Sequence, residues 1–244
     1  MTLSVPQPDD RAPYLLTGEN VSIADDAVVG GHVVIHDHVT IESGVRIEEF
    51  AIIGKQASTR RRSNNPPPPF TTMIIRTGAV ICTNALVLRP AEIGPRAIIG
   101  DLAGVRGAIG ADTVIGRNCG VANKAIVGER VVMQPGVAIT PGTIVEDDVF
   151  IGPQTQVLGD DSMLRHPSQT PPAARLGRAC RIGAGVLITA GVQIGEESLI
   201  AAGSIVTRDV PSRAKMMGSP ARQFGEVADD ELVERWSDRV GPTR

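Results

Sequence analysis

A chain of 244 residues with 24 basic and 27 acidic side chains carries a net charge of −3, which leaves no basic footprint for nucleic acid. One Trp, one Tyr and four Phe are too few rings for an ordinary globular core, but they suit a thin interior filled by Ile, Val, Ala and Thr. No stretch reaches the ~18 uninterrupted apolar residues of a membrane span, and MTLSVPQPDDRAP lacks the basic and apolar regions of a secretion signal. A cytoplasmic protein is expected. Cys82, Cys119 and Cys180 are odd in number and far apart, which fits structural thiols of a reducing compartment better than a disulfide or a zinc site.

Residues 1–20, with Pro6, Pro8 and Pro13, show no period and read as an irregular lead-in that caps the first repeat. From Ile23 every sixth residue is aliphatic: Ile23, Val29, Ile35, Ile41, Ile47 and Ile53, each preceded two places earlier by a small or β-branched residue, Val21 through Ala51. Spacing of two is strand alternation; the remaining step of four is a polar corner. No α-helix holds a six-residue period on one face, because six residues turn it by about 600°. Very short strands joined by corners are the hexapeptide signature of a parallel β-helix.

The frame breaks at KQASTRRRSNNPPPPFTT. Proline lacks the ladder donor, so residues 55–74 are predicted as an excursion loop. The period resumes at Ile75, loses two residues near Gly104 to Gly107, and then runs from Ile109 to Val157. A second excursion, residues 158–175 (LGDDSMLRHPSQTPPAAR), precedes a last block from Leu176 to Val206. The repeat domain therefore spans residues 21–207. Residues 208–244 form a tail in which Asp229 is a candidate N-cap and Leu232, Val233, Trp236 and Val240 make an apolar stripe at helical spacing. A short C-terminal α-helix is expected there.

These repeats resemble the hexapeptide-repeat acyltransferases, whose fold is an all-β, left-handed parallel β-helix with three hexapeptides per coil. Handedness comes from the resemblance alone, since bare physics favours right-handed crossovers. It implies about nine triangular coils here. The last block, IGAGVLITAGVQIGEESLIAAGSIVTRDVPSRAKMMGSPAR, is similar to the CoA-binding end of bacterial sugar acetyltransferases. That likeness implies acetyl-CoA as acyl donor. It places Ala184 and Ala202 beside the pantetheine arm, Thr207 and Arg208 at the polar end, and Arg222 on a CoA phosphate, where a guanidinium fork fits.

The central part, IIGDLAGVRGAIGADTVIGRN with IVEDDVFIGPQTQV, resembles the subset that acylates amino groups of nucleotide-linked sugars. That subset continues into Thr-Asn-Asp. Here Leu158-Gly159-Asp160 stands in its place, so Gly159 replaces the asparagine. A competing pattern is the His-Pro of sugar O-acetyltransferases, which His166-Pro167 resembles. Acyl transfer needs a nucleophile, a proton acceptor and oxyanion donors. His166 is the candidate base, with Asp160 or Asp161 orienting it or binding an ammonium or sugar hydroxyl. The family implies a homotrimer with sites between subunits; charge and hydropathy lead to no expected nucleic-acid or membrane partner.

Two further readings stay open. One is a non-catalytic hexapeptide scaffold, which Gly159 keeps alive. The other is a γ-class carbonic anhydrase, a zinc enzyme of the same fold, suggested by His32, His36 and His38. Spacing argues against zinc: His32 and His38 occupy one repeat position a single hexapeptide apart, hence different sides of the prism, and Phe50 and Gln56 stand one coil on. No metal is expected. Arg60 to Arg62 are either a pyrophosphate-binding cluster or a solvated loop.

Overall fold

A computed structural model describes residues 6–58, 72–163, 165 and 173–235. Strands of two to six residues stack into three sheets of 11, 11 and 9 strands, the faces of a triangular prism. The chain is an all-β, left-handed parallel β-helix of about 10 turns. We number the faces in the order in which a coil visits them. Leu15–Thr17, Val34–Ile35, Ile52–Lys55 and their successors build the first face; Ser22–Ile23 and Val39–Ile41 begin the second; Val28–Val29 and Arg46–Ile47 begin the third. The first, second and third edges follow the face of the same number. One coil takes 18 residues, so Val34 pairs with Ile52 and Ile126 with Ile144.

The physical reason for the period is visible in each turn. The second residue of a strand points inward, and so does the last of the four corner residues, as with Val33 and Ile35, both wholly buried. The third corner residue takes the left-handed conformation: His32, Phe50, Asn84 and Lys124 have φ of 59°, 61°, 59° and 61°. That backbone is costly for residues with a Cβ, and only a corner repeated coil after coil holds so many there. Each buried aliphatic side chain contributes roughly 1.5–3 kcal/mol, most of it offset by chain entropy.

All three interruptions of the period fall on the first edge. The first excursion leaves between Ile52–Lys55 and Met73–Ile75, the second between Gln156–Val157 and Arg175–Leu176. The two-residue contraction is the corner Arg106-Gly107, between Gly104–Val105 and Ala108–Ile109. There a Cβ on Gly107 would collide with the carbonyl oxygen of Ala125 in the next coil.

Both ends differ from expectation. The lead-in is not irregular: Gln7–Asp9 and Leu15–Thr17 form an antiparallel pair, and Leu16 and Thr17 continue the first face against Val34 and Ile35. Thr17 holds the frame position of an aliphatic residue, which hid this coil from the pattern and left the count at nine. At the other end, Ala214–Gly218 joins the third face beside Leu199–Ile200 and turns back as the antiparallel strand Ala221–Glu226. The expected α-helix is not found among the described residues. Short 3-10 turns cover Asp229–Glu231 and Val233–Arg235, held by the ion pairs Arg213–Asp229 and Lys215–Glu231. Trp236 and Val240, half of the predicted stripe, lie outside the described residues. No helix among those described is long and apolar enough to cross a membrane.

Candidate active site

The residues singled out for acyl transfer divide between two edges that flank the first face. Ala184 and Ala202 lie one coil apart on the third edge, where the Gly203 amide donates to the Ala184 carbonyl at 2.8 Å. Both are exposed. Their neighbours are tight on the inner side and open on the outer. A Cβ on Gly152 would sit 2.6 Å from the Ala184 nitrogen, whereas one on Gly185 (φ 65°) or Gly203 (φ 72°) would meet nothing within 4 Å. The result is a smooth strip with accessible backbone. The turn after Gly218 extends it, since the Gly218 amide donates to Ser204 Oγ at 3.3 Å. Arg222 follows on the return strand, opposite Met217; it is exposed, and its Nη1 donates to the Ala221 carbonyl at 2.9 Å.

Asp160, Asp161, Thr207 and Arg208 lie on the first edge instead. Asp160 Oδ1 accepts from the amide and hydroxyl of Ser162 at 2.7 and 2.6 Å, a tight turn at the loop's root. Asp161 Oδ1 accepts from the Ala190 amide at 3.1 Å, which fastens the loop to the following corner. Thr207 and Arg208 are exposed on the corner after that. His166 lies outside the described residues, as do Arg60 to Arg62 and Pro66 to Pro69. Within one chain the strands Gln156–Val157, Leu187–Ile188 and Ile205–Val206 of the first face separate the two groups.

Gly159 has a local explanation. A Cβ there would lie 3.0 Å from both Cβ and Oγ1 of Thr140, on the preceding corner of the first edge. Thr140 fills the volume in which a longer residue at 159 would begin.

The histidines are separated as their spacing requires. His32 is sandwiched on the third edge between Tyr14 and Phe50, with ring centroids 4.6 and 4.8 Å away and nearly parallel planes. His36 and His38 belong to the first edge, where burial pushes the His36 imidazole below its ordinary pKa. Among the described residues the group of donors within reach of one ion is Glu48, Cys82 and Asp101, with no histidine. Burial, with Glu48 and Asp101 beside it, pushes the Cys82 thiol up to about 11, and burial raises Cys180 to about 12. All three cysteines are free. Thiols held protonated in this way are poor nucleophiles.

Two repeat models match the chain: the bacterial transferase hexapeptide over residues 173–208 and the hexapeptide repeat of succinyl-transferase over residues 108–141. Both matches are to hexapeptide repeats of acyl-transferring families, as the six-residue period predicts. Among solved structures, the UDP-N-acetylglucosamine acyltransferase of Francisella novicida is 17% identical with a TM-score of 0.50, over 95% of this chain and 68% of that one. It shares the fold. A maltose O-acetyltransferase from Clostridium difficile 630 is 26% identical over 47% of this chain and 70% of its own, with a TM-score of 0.39. A hexapeptide-repeat-containing acetyltransferase from Vibrio cholerae O1 biovar eltor, complexed with acetyl coenzyme A, is 23% identical over 63% and 73%, with a TM-score of 0.34. No curated protein sequence matches the chain.

Three residues of the chain have no signature in the repeats. Arg106, Lys124 and Thr140 stand on successive corners of the first edge, just ahead of Gly159 and Asp160. The contraction at Gly104 to Gly107 marks the place, but a lost pair of residues does not say what the corner carries.

Proposed function

We propose that the protein transfers an acetyl group from acetyl-CoA to an amino group of a nucleotide-linked sugar, as a cytoplasmic homotrimer. The observation that carries the donor half is the smooth strip of Ala184-Gly185 and Ala202-Gly203 leading to Arg222. A thin pantetheine arm needs small residues with approachable backbone, and a CoA phosphate needs a guanidinium. The strip lies largely within the segment matched by the bacterial transferase repeat, and acetyl-CoA is bound in the Vibrio cholerae acetyltransferase.

The division of the residues supports the trimer. The donor strip is on the third edge and the acidic loop on the first, so a neighbouring copy in a closed ring brings one edge of each kind together. In that cleft a neutral amine attacks the thioester carbon. The tetrahedral oxyanion collapses with loss of CoA thiolate, and the proton lost by the nitrogen passes by way of a base to the sulfur. Asp160 is tied to Ser162 and Asp161 to the Ala190 amide, so both position the loop beside the acceptor. The base is His166. Because Gly159 lacks the amide of the amine-acylating pattern, O-acetylation through His166 is the second reading. Replacing His166 by Ala separates them: O-acetylation collapses, and acylation of an already neutral amine survives in part.

Calorimetric titration with CoA and acetyl-CoA tests the donor assignment. Micromolar binding that Arg222→Ala weakens by about tenfold is expected. Failure to bind either compound would leave a non-catalytic β-helix as the better account.

A further inference from the structure

The three edges of the prism treat their arginines differently. On the second edge and beside it Arg76, Arg96, Arg130 and Arg175 each face a carboxylate: Glu42 at 2.9 Å, Asp112 at 2.6 Å, Asp148 at 2.7 Å, and Glu146. The middle of the first edge has no such partners. Its four successive corners, Arg89-Pro90-Ala91, Arg106-Gly107, Ala122 to Ala125 and Thr140 to Thr143, contain three cations and no acid. Arg89 is accounted for: it is buried, and its Nε donates to the Gly54 carbonyl at 2.8 Å with Asp37 nearby. Arg106 is not. Its Nε and Nη2 are shielded from water and meet no hydrogen-bond partner among the described residues, although the residue is only half-buried. Lys124, exposed on the next corner, has no ion pair among the described residues, and neither has Glu92, the acid on the adjoining strands.

A guanidinium folded down with two unmade hydrogen bonds is in an unfavourable resting position. A long side chain at an edge can swing out to an anion that restores them. Beside it the outward positions of the first face are Gly104, Gly120 and Ala138, paired in register, and a Cβ on Gly104 would meet nothing within 4 Å. The floor next to the two cations is therefore flat and open, suited to a ring.

We infer that Arg106 and Lys124 form the diphosphate subsite for a nucleotide-linked acceptor, with the ring lying on the floor of Gly104, Gly120 and Ala138. The inference rests on the acyltransferase reading above and fixes the acceptor's direction. Successive coils are about 4.8 Å apart, so the corner of Lys124 stands about 10 Å from that of Asp160, with Thr140 between. That is the reach from a diphosphate across a pyranose to its far substituents. The acceptor runs along the first edge, phosphates toward the contraction and amine toward the acidic loop. CoA is the other source of the same chemistry, and the test separates the two.

The intact protein is titrated with inorganic pyrophosphate, UDP, dTDP, GDP and CoA, and so are Arg106→Gln, Lys124→Gln and, for an equal loss of charge on the second edge, Arg96→Gln. Expected are binding of at least one nucleoside diphosphate, weakened on the order of tenfold by Arg106→Gln and less by Lys124→Gln. CoA affinity is unchanged in both, and Arg96→Gln has no effect. Without ligand Arg106→Gln should melt at or above the parent temperature, because it removes an unpaired charge. Unchanged nucleotide affinity would overturn the subsite, as would an equal loss of CoA affinity, a much lower melting temperature, or a smaller oligomer by light scattering. If CoA binds through Arg222 and no diphosphate binds, the subsite falls and the transferase stands; if CoA fails too, the transferase reading falls first.

Discussion

At Thr113 the hydroxyl donates to the Gly128 carbonyl at 2.7 Å and accepts from the Val131 amide at 3.1 Å, with the side chain wholly buried. Thr143 occupies the same corner position, equally buried, and its Oγ1 meets no partner among the described residues. Thr113→Val should therefore cost about 1–3 kcal/mol, because it strands a buried amide. Thr143→Val should stay within about 0.5 kcal/mol of the parent or gain stability. Urea unfolding decides it, and equal losses at both sites would refute the hydrogen-bond account. A second prediction concerns acid. Burial holds His36 below its ordinary pKa against the pull of Asp37, so the folded chain favours neutral imidazole. Its contribution is complete above the unfolded value and is lost as pH falls through about 6.5 toward the lower folded one. Glu42 is held low chiefly by the Thr77 amide and then by Arg76, so its contribution disappears only below the ordinary carboxylate range. Stability should decline in two stages, and His36→Gln should abolish the upper one. An unchanged slope between about pH 7 and 5 in that variant would exclude His36.

Single elements show why some of the fold was readable and some was not. A two-residue strand has one inward side chain, and with its corner partner it writes a six-residue rhythm that neither helix nor long strand imitates. The columns from Ile23 to Val206 were therefore legible. The first coil was not, because Thr17 is polar where Ile35 and Ile53 are aliphatic. The terminal hairpin was not, because Ala214–Gly218 and Ala221–Glu226 pair antiparallel and carry polar side chains at mixed positions, while a helical stripe nearby offered a stronger pattern. The site was legible only as types of residue. Asp160 and Asp161 stood out as acids in a loop, but the tie of Asp161 to the Ala190 amide is tertiary. Arg106 matters through what it does not touch, which no pattern records. The contraction itself can be tested. Gly107 lies against the Ala125 carbonyl, so Gly107→Ala must push two coils apart and should cost about 1–3 kcal/mol. Gly104→Ala, facing open space, should be nearly silent in stability while narrowing the floor beside Arg106. Comparable destabilisation by both would show that the contraction is not the constraint.

On the scale of the whole molecule, a solenoid keeps distant parts of its sequence in line but cannot bend one edge round to another. The donor strip on the third edge and the root of the acidic loop on the first are held on opposite sides of one face in a stack of about 10 turns. In the trimer proposed above the two meet across a subunit boundary. That has a consequence for mixed assemblies. Ala184→Trp would block the donor strip and His166→Ala would remove the base; toward a hydroxyl acceptor, which depends on that base, each variant alone should be nearly inactive. When the two are unfolded together and refolded as mixed trimers, a cleft works only if its third edge comes from a His166→Ala chain and its first from an Ala184→Trp chain. Random assortment gives about one such cleft in four, so activity should return to roughly a quarter of the parent's. A site contained in a single chain gives no recovery at all. Restored turnover in the mixture, against separately refolded controls, therefore tests where the active site lies without requiring the acceptor's full identity, provided any acceptor supports a measurable rate.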